Sequence, residues 1–141
     1  MTATEAGYSG TPLPTKLGIR EVHRVAILSA PREFAGTLGP LPVGVTVRNA
    51  LGGGAPFDVV VAFFTKRSDL ERRLASIRAR LTQSGGFWVA WPKRASGVPT
   101  DMTEDVIRAI ALPTGLVDNK VCAIDAVWSG LRLVIRKELR R

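Results

Sequence analysis

The segment Asp58 to Phe64 (DVVVAFF) is apolar at every position but its first. A strand with one wet face alternates apolar and polar residues, so this run needs cover on both faces, as a parallel strand between two helical layers has. That requirement makes DVVVAFF the expected centre of a sheet. It commits the chain to an α/β architecture, because each crossover between parallel strands is a helix lying on the sheet.

The flanking segments agree. His23 to Ala30 (HRVAILSA) is an apolar, β-branched run stopped by Pro31, which predicts a first buried strand. A short helix is expected over Arg32 to Leu38, with Pro31 tolerated in its first turn, and a short strand over Val45 to Val47. Leu51 to Pro56 (LGGGAP) then reads as a glycine-rich connection. Leu70, Leu74, Ile77 and Leu81 step by four, three and four residues and form one stripe, predicting a helix over Ser68 to Leu81. Ser68 and Glu71 have the spacing of a capping box at its start. Gly85 and Gly86 are expected to release the chain into a strand over Phe87 to Trp91, closed by Pro92.

After the polar stretch Lys93 to Asp101, Thr103 is the expected N-cap of a helix from Glu104 to about Leu112 that buries Val106, Ile107 and Ile110. Lys120 to Val127 and Leu131 to Arg136 are read as strands of an antiparallel hairpin turning at Trp128, Ser129 and Gly130. Residues 1–17 are expected to form an N-terminal arm touching the body only through Leu13 and Leu17. Residues 18–137 then form one α/β domain, and 138–141 close it as a basic tail. With 141 residues and 45% hydrophobic content, one continuous core is within reach.

Charge and cysteine content restrict the function classes. Lys and Arg exceed Asp and Glu by 20 to 12, for a formal charge of +8, and fifteen of the cations are arginine. An anionic partner is one reading, and an arginine-rich coding bias with no ligand is the other. No apolar run approaches the roughly 20 residues that cross a bilayer, so no membrane association is expected. Met1 to Thr11 has no signal-peptide pattern. With the single cysteine Cys122, which permits no internal disulfide, this predicts a cytoplasmic, reducing location.

Two resemblances add to this reading. DVVVAFF as a middle strand, the approach LTQSGGFWVAWPK to the next strand and the closing hairpin resemble the latter half of a class I methyltransferase fold. Almost the whole chain also resembles DUF3052, an uncharacterised bacterial family of unknown function. The resemblance rests on GYSGTPLPTKLGI, LSAP, FDVVVAFF, FWVAWPKRASGVPTDMTEDVIR and GLVDNKVCAIDAVWSGLRLVIRK. The expectation is a Rossmann-like, mostly parallel sheet of about six strands, ending in an antiparallel hairpin.

Working methyltransferases of this class place a glycine-rich turn after the first strand. They place an acidic side chain after the second, where it accepts hydrogen bonds from the ribose of S-adenosylmethionine. Here the first turn reads Ser29, Ala30, Pro31, Arg32, and the second strand ends in Arg48 and Asn49. Both handles are missing, Gly52 to Gly54 fall after the second strand, and no cofactor is expected.

Ligands of open parallel sheets bind at the carboxyl ends of the strands. The loops there carry Ser29 and Arg32 after the first strand, and Lys66 and Arg67 after the middle one. Trp91, Lys93, Arg94, Ser96 and Thr100 follow the next. Five cations on one rim, with amides at the start of the Ser68 helix, would suit a phosphate, nucleotide or carboxylate.

Elsewhere the structural reading is the simpler one. His23 sits at the opening of the first strand, away from that rim. Cys122 falls inside an apolar strand, and Asp125 is placed to cap a turn as readily as to act as a base. Trp88 and Trp91 should face opposite sides of their strand. Lys66 to Arg80 holds six cations and two acids, which fits a solvated helix face or, more sharply, contact with nucleic-acid phosphates. No phosphate loop, zinc spacing or Ser-His-Asp set is present.

The sequence therefore predicts a non-catalytic methyltransferase-like module that recognises a small anionic ligand or a protein partner. The alternatives are a methyltransferase with an altered cofactor turn and a nucleic-acid accessory protein. Oligomeric state is not legible.

Overall fold

The computed structural model describes residues 10–141, so the first nine residues of the expected arm lie outside the described part. Six strands form one sheet: β1 (Arg24–Leu28), β2 (Thr46–Arg48), β3 (Phe57–Phe63), β4 (Leu81–Pro92), β5 (Leu116–Ala123) and β6 (Trp128–Ile135). Their order is β2-β1-β3-β4-β6-β5. β2, β1, β3 and β4 pair in parallel, while β6 runs antiparallel to both β4 and β5. The mostly parallel sheet with a closing hairpin is the architecture expected, and DVVVAFF lies in its interior as β3.

Helices cover both faces. α3 (Arg67–Ala79) and α4 (Glu104–Ala111) lie on one side, where Leu70, Leu74, Ile77 and Ile107 pack with Val60, Ala62, Phe87 and Val89. α1 (Leu13–Lys16) and α2 (Phe34–Leu38) lie on the other, where Leu13, Leu17, Phe34 and Leu38 meet Val59, Val61, Phe63 and Trp88. Val59 to Val61 thus feed both cores in turn, which is why no polar residue is tolerated among them. Trp88 and Trp91 belong to opposite cores, as their spacing requires. Leu13 and Leu17 are both buried, and the Trp88 indole donates to the Leu17 carbonyl at 2.9 Å.

Several boundaries differ from the sequence reading. The Ser68–Glu71 capping box does not form: α3 begins at Arg67 with Lys66 as N-cap, and no side chain of the helix caps it. The Asp101 carboxylate, brought in from a distant loop, accepts from the Arg67 amide at 2.7 Å instead. Leu81 lies in β4 rather than in the helix, because Arg80 ends α3 and turns its guanidinium onto the glycine-rich loop. It donates to the carbonyls of Leu51, Gly54 and Ala55 at 2.8, 2.8 and 3.0 Å, so Arg80 is a structural clamp and not part of a free basic face.

Gly85 and Gly86 are strand residues within β4, next to a register irregularity opposite Phe57 and Val59. The hairpin turn is Ile124 to Val127, with Trp128, Ser129 and Gly130 in β6. Its geometry comes from Asp125, whose Oδ1 accepts from the amides of Val127 and Trp128, both at 2.8 Å. Thr103 does cap α4, accepting from the Val106 amide at 3.1 Å, but only Ile107 and Ala111 of that helix are fully buried. The C-terminal residues are held at the surface: Arg140 Nε donates to the Ile135 carbonyl and the Arg141 amide to Gln83. No helix among the described residues is long and apolar enough to cross a membrane.

Candidate functional site

Because β1, β3 and β4 run in parallel, the loops after Leu28, Phe63 and Pro92 leave from one edge of the sheet. An aromatic row marks that edge: Phe34 meets Phe63 edge-on at 4.9 Å, and Phe63 meets Trp128 edge-on at 5.1 Å. The expected basic rim is divided there into separate concavities.

The first is a crevice of about 680 Å³ between the ends of β1 and β2. Ser29 and Arg32 line one side, Arg48 and Asn49 the other, and Phe34, Leu38 and Val47 contribute apolar wall. Ser29 has φ of 58°, the left-handed region usually left to glycine. The bend after β1 is therefore made, with a hydroxymethyl group attached, at the place where a methyltransferase uses bare backbone. Among the described residues no Asp or Glu lines this crevice.

The second is a cavity of about 260 Å³ shared by Ser29, Thr65, Asp69, Arg72, Arg73 and Trp128. Arg72 is already paired with Asp69 at 2.9 Å, and Arg67 with Glu71 at 3.7 Å, so the outer face of α3 carries its own counter-charges. The third, of about 650 Å³, holds Trp91, Arg94 and Thr100. Its two cations, Arg94 and Arg108, stand with the carboxylates of Glu104 and Asp105, and Arg108 bonds to Glu104, Asp105 and Asp118 at 2.7, 3.1 and 3.0 Å. Hydrogen bonding to Asp118 and then to Glu104 raises the guanidinium pKa above its ordinary value.

Lys66, Arg67, Lys93 and Ser96 line none of these three spaces. The helix start expected to receive an anion is partly satisfied from within the chain, since the Asp101 carboxylate already accepts from the Arg67 amide. Two hydroxyls of the expected site hold loops. Ser96 donates to the Lys93 carbonyl at 2.6 Å and accepts from the Val98 amide, while Thr100 donates to the Thr65 carbonyl at 2.6 Å and accepts from the Met102 amide. Sequence reasoning noted Arg48 and Asn49 only as a missing acid, although their place after β2 could have marked them as crevice residues.

Away from this edge, Cys122 is half-buried, and desolvation pushes its thiol pKa up while Lys16 and Lys120 draw it back. His23 lies at the opposite, amino edge of the sheet beside a further cavity of about 400 Å³. No group of His, Cys, Asp and Glu suited to a metal occurs among the described residues.

No family model matches the chain, and no curated protein matches it in sequence. Solved structures do match in fold. A protein described as a type 11 methyltransferase of Sulfolobus solfataricus superposes with a TM-score of 0.64 at 11% identity, over 92% of each chain. A SAM-dependent methyltransferase of Aquifex aeolicus gives 0.55 at 14% identity over 86% of each chain. Magnesium protoporphyrin IX methyltransferase of Synechocystis, crystallised with bound SAM, gives 0.53 at 8% identity over 84% of this chain and 71% of its own. The chain has the methyltransferase-like fold, and at these identities the likeness extends to the fold alone.

The crevice does not fit S-adenosylmethionine in the manner outlined above. Among the described residues no carboxylate lines it, and the end of β2 offers Arg48, a donor only, beside Asn49 where that site has an acid.

Proposed function

We propose that this chain is a non-catalytic methyltransferase-fold module that binds a small anionic ligand in the crevice between the carboxyl ends of β1 and β2. The observation that carries this reading is the pair Arg32 and Arg48 lining a space that no acid lines among the described residues. Arginine forks grip phosphate or carboxylate through two parallel hydrogen bonds, and the apolar wall of Phe34, Leu38 and Val47 suits a flat or acyl portion of the same molecule. A nucleotide or an acyl-CoA ester combines these features. The resemblance to DUF3052 and a bacterial, cytoplasmic setting are part of the same proposal.

The test is a melting-temperature screen with nucleotides and CoA esters, since a molecule that prefers the folded state must stabilise it. The R32A/R48A variant should lose any stabilisation found. The K93A/R94A variant, altered away from the crevice, should keep it. Equal stabilisation of the wild type and R32A/R48A would reject the site.

A second reading, methyl transfer from S-adenosylmethionine through an altered turn, is the one that the fold comparisons favour, since the matched structures include a methyltransferase with that cofactor bound. It requires Ser29 and Asn49 to replace the usual handles. Calorimetric titration with S-adenosylmethionine and its demethylated product separates the two readings.

A further inference from the structure

The amino edge of the sheet, opposite the proposed crevice, holds a cavity of about 400 Å³ that combines several unusual features. It is lined by four cations, Lys16, Arg20, Lys120 and Arg132, with His23, against the single carboxylate of Asp58. Asp58 is already engaged, accepting from the Arg24 amide at 2.8 Å. Among the described residues none of the four cations belongs to an ion pair.

The placement of two of these cations is costly. Lys120 and Arg132 stand directly opposite each other in the β5–β6 ladder, a like-charge pair of the kind that destabilises a sheet. Arg132 is also half-buried, which lowers its pKa by desolvation and then by repulsion from Arg140. Its one side-chain hydrogen bond is a long one, 3.4 Å, to Asn119. The guanidinium lies over Gly86, where a Cβ would collide with Nε, so the bare backbone of β4 is what lets it lie there. Two register irregularities border the same space, between Phe57 and Val59 on β3 and between Asp118 and Lys120 on β5, and such bulges re-aim side chains.

We propose that this cavity is a second binding site, for the phosphoryl group of a small molecule. A phosphoryl dianion supplies the missing counter-charge and accepts from Arg132, Lys120 and Arg20, while the Thr82 and Ser84 hydroxyls on the cavity wall can donate to its remaining oxygens. The site is independent of the crevice at the carboxyl edge, and neither proposal requires the other.

The test is titration of the whole protein with inorganic pyrophosphate, followed by amide chemical shifts. Saturable shifts centred on Gly85, Gly86, Asn119 and Lys120 are expected. The double variant R20Q/K120Q, at two exposed positions, should weaken the binding read at these amides about tenfold or more, as should R132Q, while K137Q, which removes an exposed cation outside the cavity lining, should bind normally. No saturable shift at millimolar pyrophosphate overturns the proposal, and so does unchanged affinity in both R20Q/K120Q and R132Q. A melting curve on each variant separates loss of the site from loss of the fold. Shifts confined to Ser29, Arg32 and Arg48 would move the phosphoryl group to the other edge and also reject this site.

Discussion

The indole nitrogen of Trp88, buried in the middle of the sheet, donates to the main-chain carbonyl of Leu17 at 2.9 Å. This bond ties the segment bearing α1 to β4 across 71 residues of sequence and makes that segment part of the core. Trp88→Phe keeps an aromatic ring but leaves the carbonyl without its donor and opens space beneath it. A loss of about 2–4 kcal/mol is expected in chemical denaturation, with earlier proteolytic cleavage near Leu17.

Arg80 gives a second prediction. Its three hydrogen bonds to the carbonyls of Leu51, Gly54 and Ala55 hold a loop whose glycines supply no packing of their own. Lysine keeps the charge but has no planar fork. Arg80→Lys should therefore cost about 2 kcal/mol and speed hydrogen exchange of the loop amides, without affecting exchange in β3. Unaltered exchange would remove the clamp.

Ser29 and Val22 hold left-handed backbone at φ of 58° and 56°, and both are exposed. Glycine relieves that strain at each place, by about 1 kcal/mol, with Val22 giving the larger gain because it is β-branched. Ser29→Gly and Val22→Gly should raise the melting temperature, a result opposite to that of most glycine substitutions.

The Cys122 thiol, its pKa raised chiefly by burial, should react slowly with iodoacetamide at mildly alkaline pH and rapidly once the chain is unfolded. The folded state favours the protonated thiol. Its contribution to stability is therefore complete below the ordinary thiol pKa and is lost as pH rises through the higher folded value. Cys122→Ala should flatten that alkaline decline.

Much of the fold was legible because its signals are local. β3 announces itself by an unbroken apolar run, α3 by Leu70, Leu74 and Ile77, and α4 by the Thr103 cap. What was misread depends on distant partners. Ser68 looked like a cap, yet the carboxylate at that helix start comes from Asp101, 34 residues away. The hairpin turn is a local exception: it is Ile124 to Val127 rather than Trp128 to Gly130, and the Asp125 side chain caps it, as its sequence position allowed. The candidate rim was legible as a set of basic loops, but its division into three spaces was not, because the walls of each space, and partners such as Asp118 for Arg108 and Asp101 for the Arg67 amide, come together only through tertiary packing. The amino-edge cavity left no mark in the sequence, since its cations come from three separate segments, the stretch holding Lys16 and Arg20, β5 and β6.

We propose that the crevice between β1 and β2 presents a basic wall where the methyltransferase site outlined above has an acidic one. Isothermal calorimetry on the wild type and R32A/R48A, with S-adenosylmethionine in one series and the best-stabilising nucleotide or CoA ester in the other, tests it most directly. No heat is expected with S-adenosylmethionine, and a binding isotherm is expected with the anion that the double variant abolishes. Saturable heat with S-adenosylmethionine and none with any anion would contradict it.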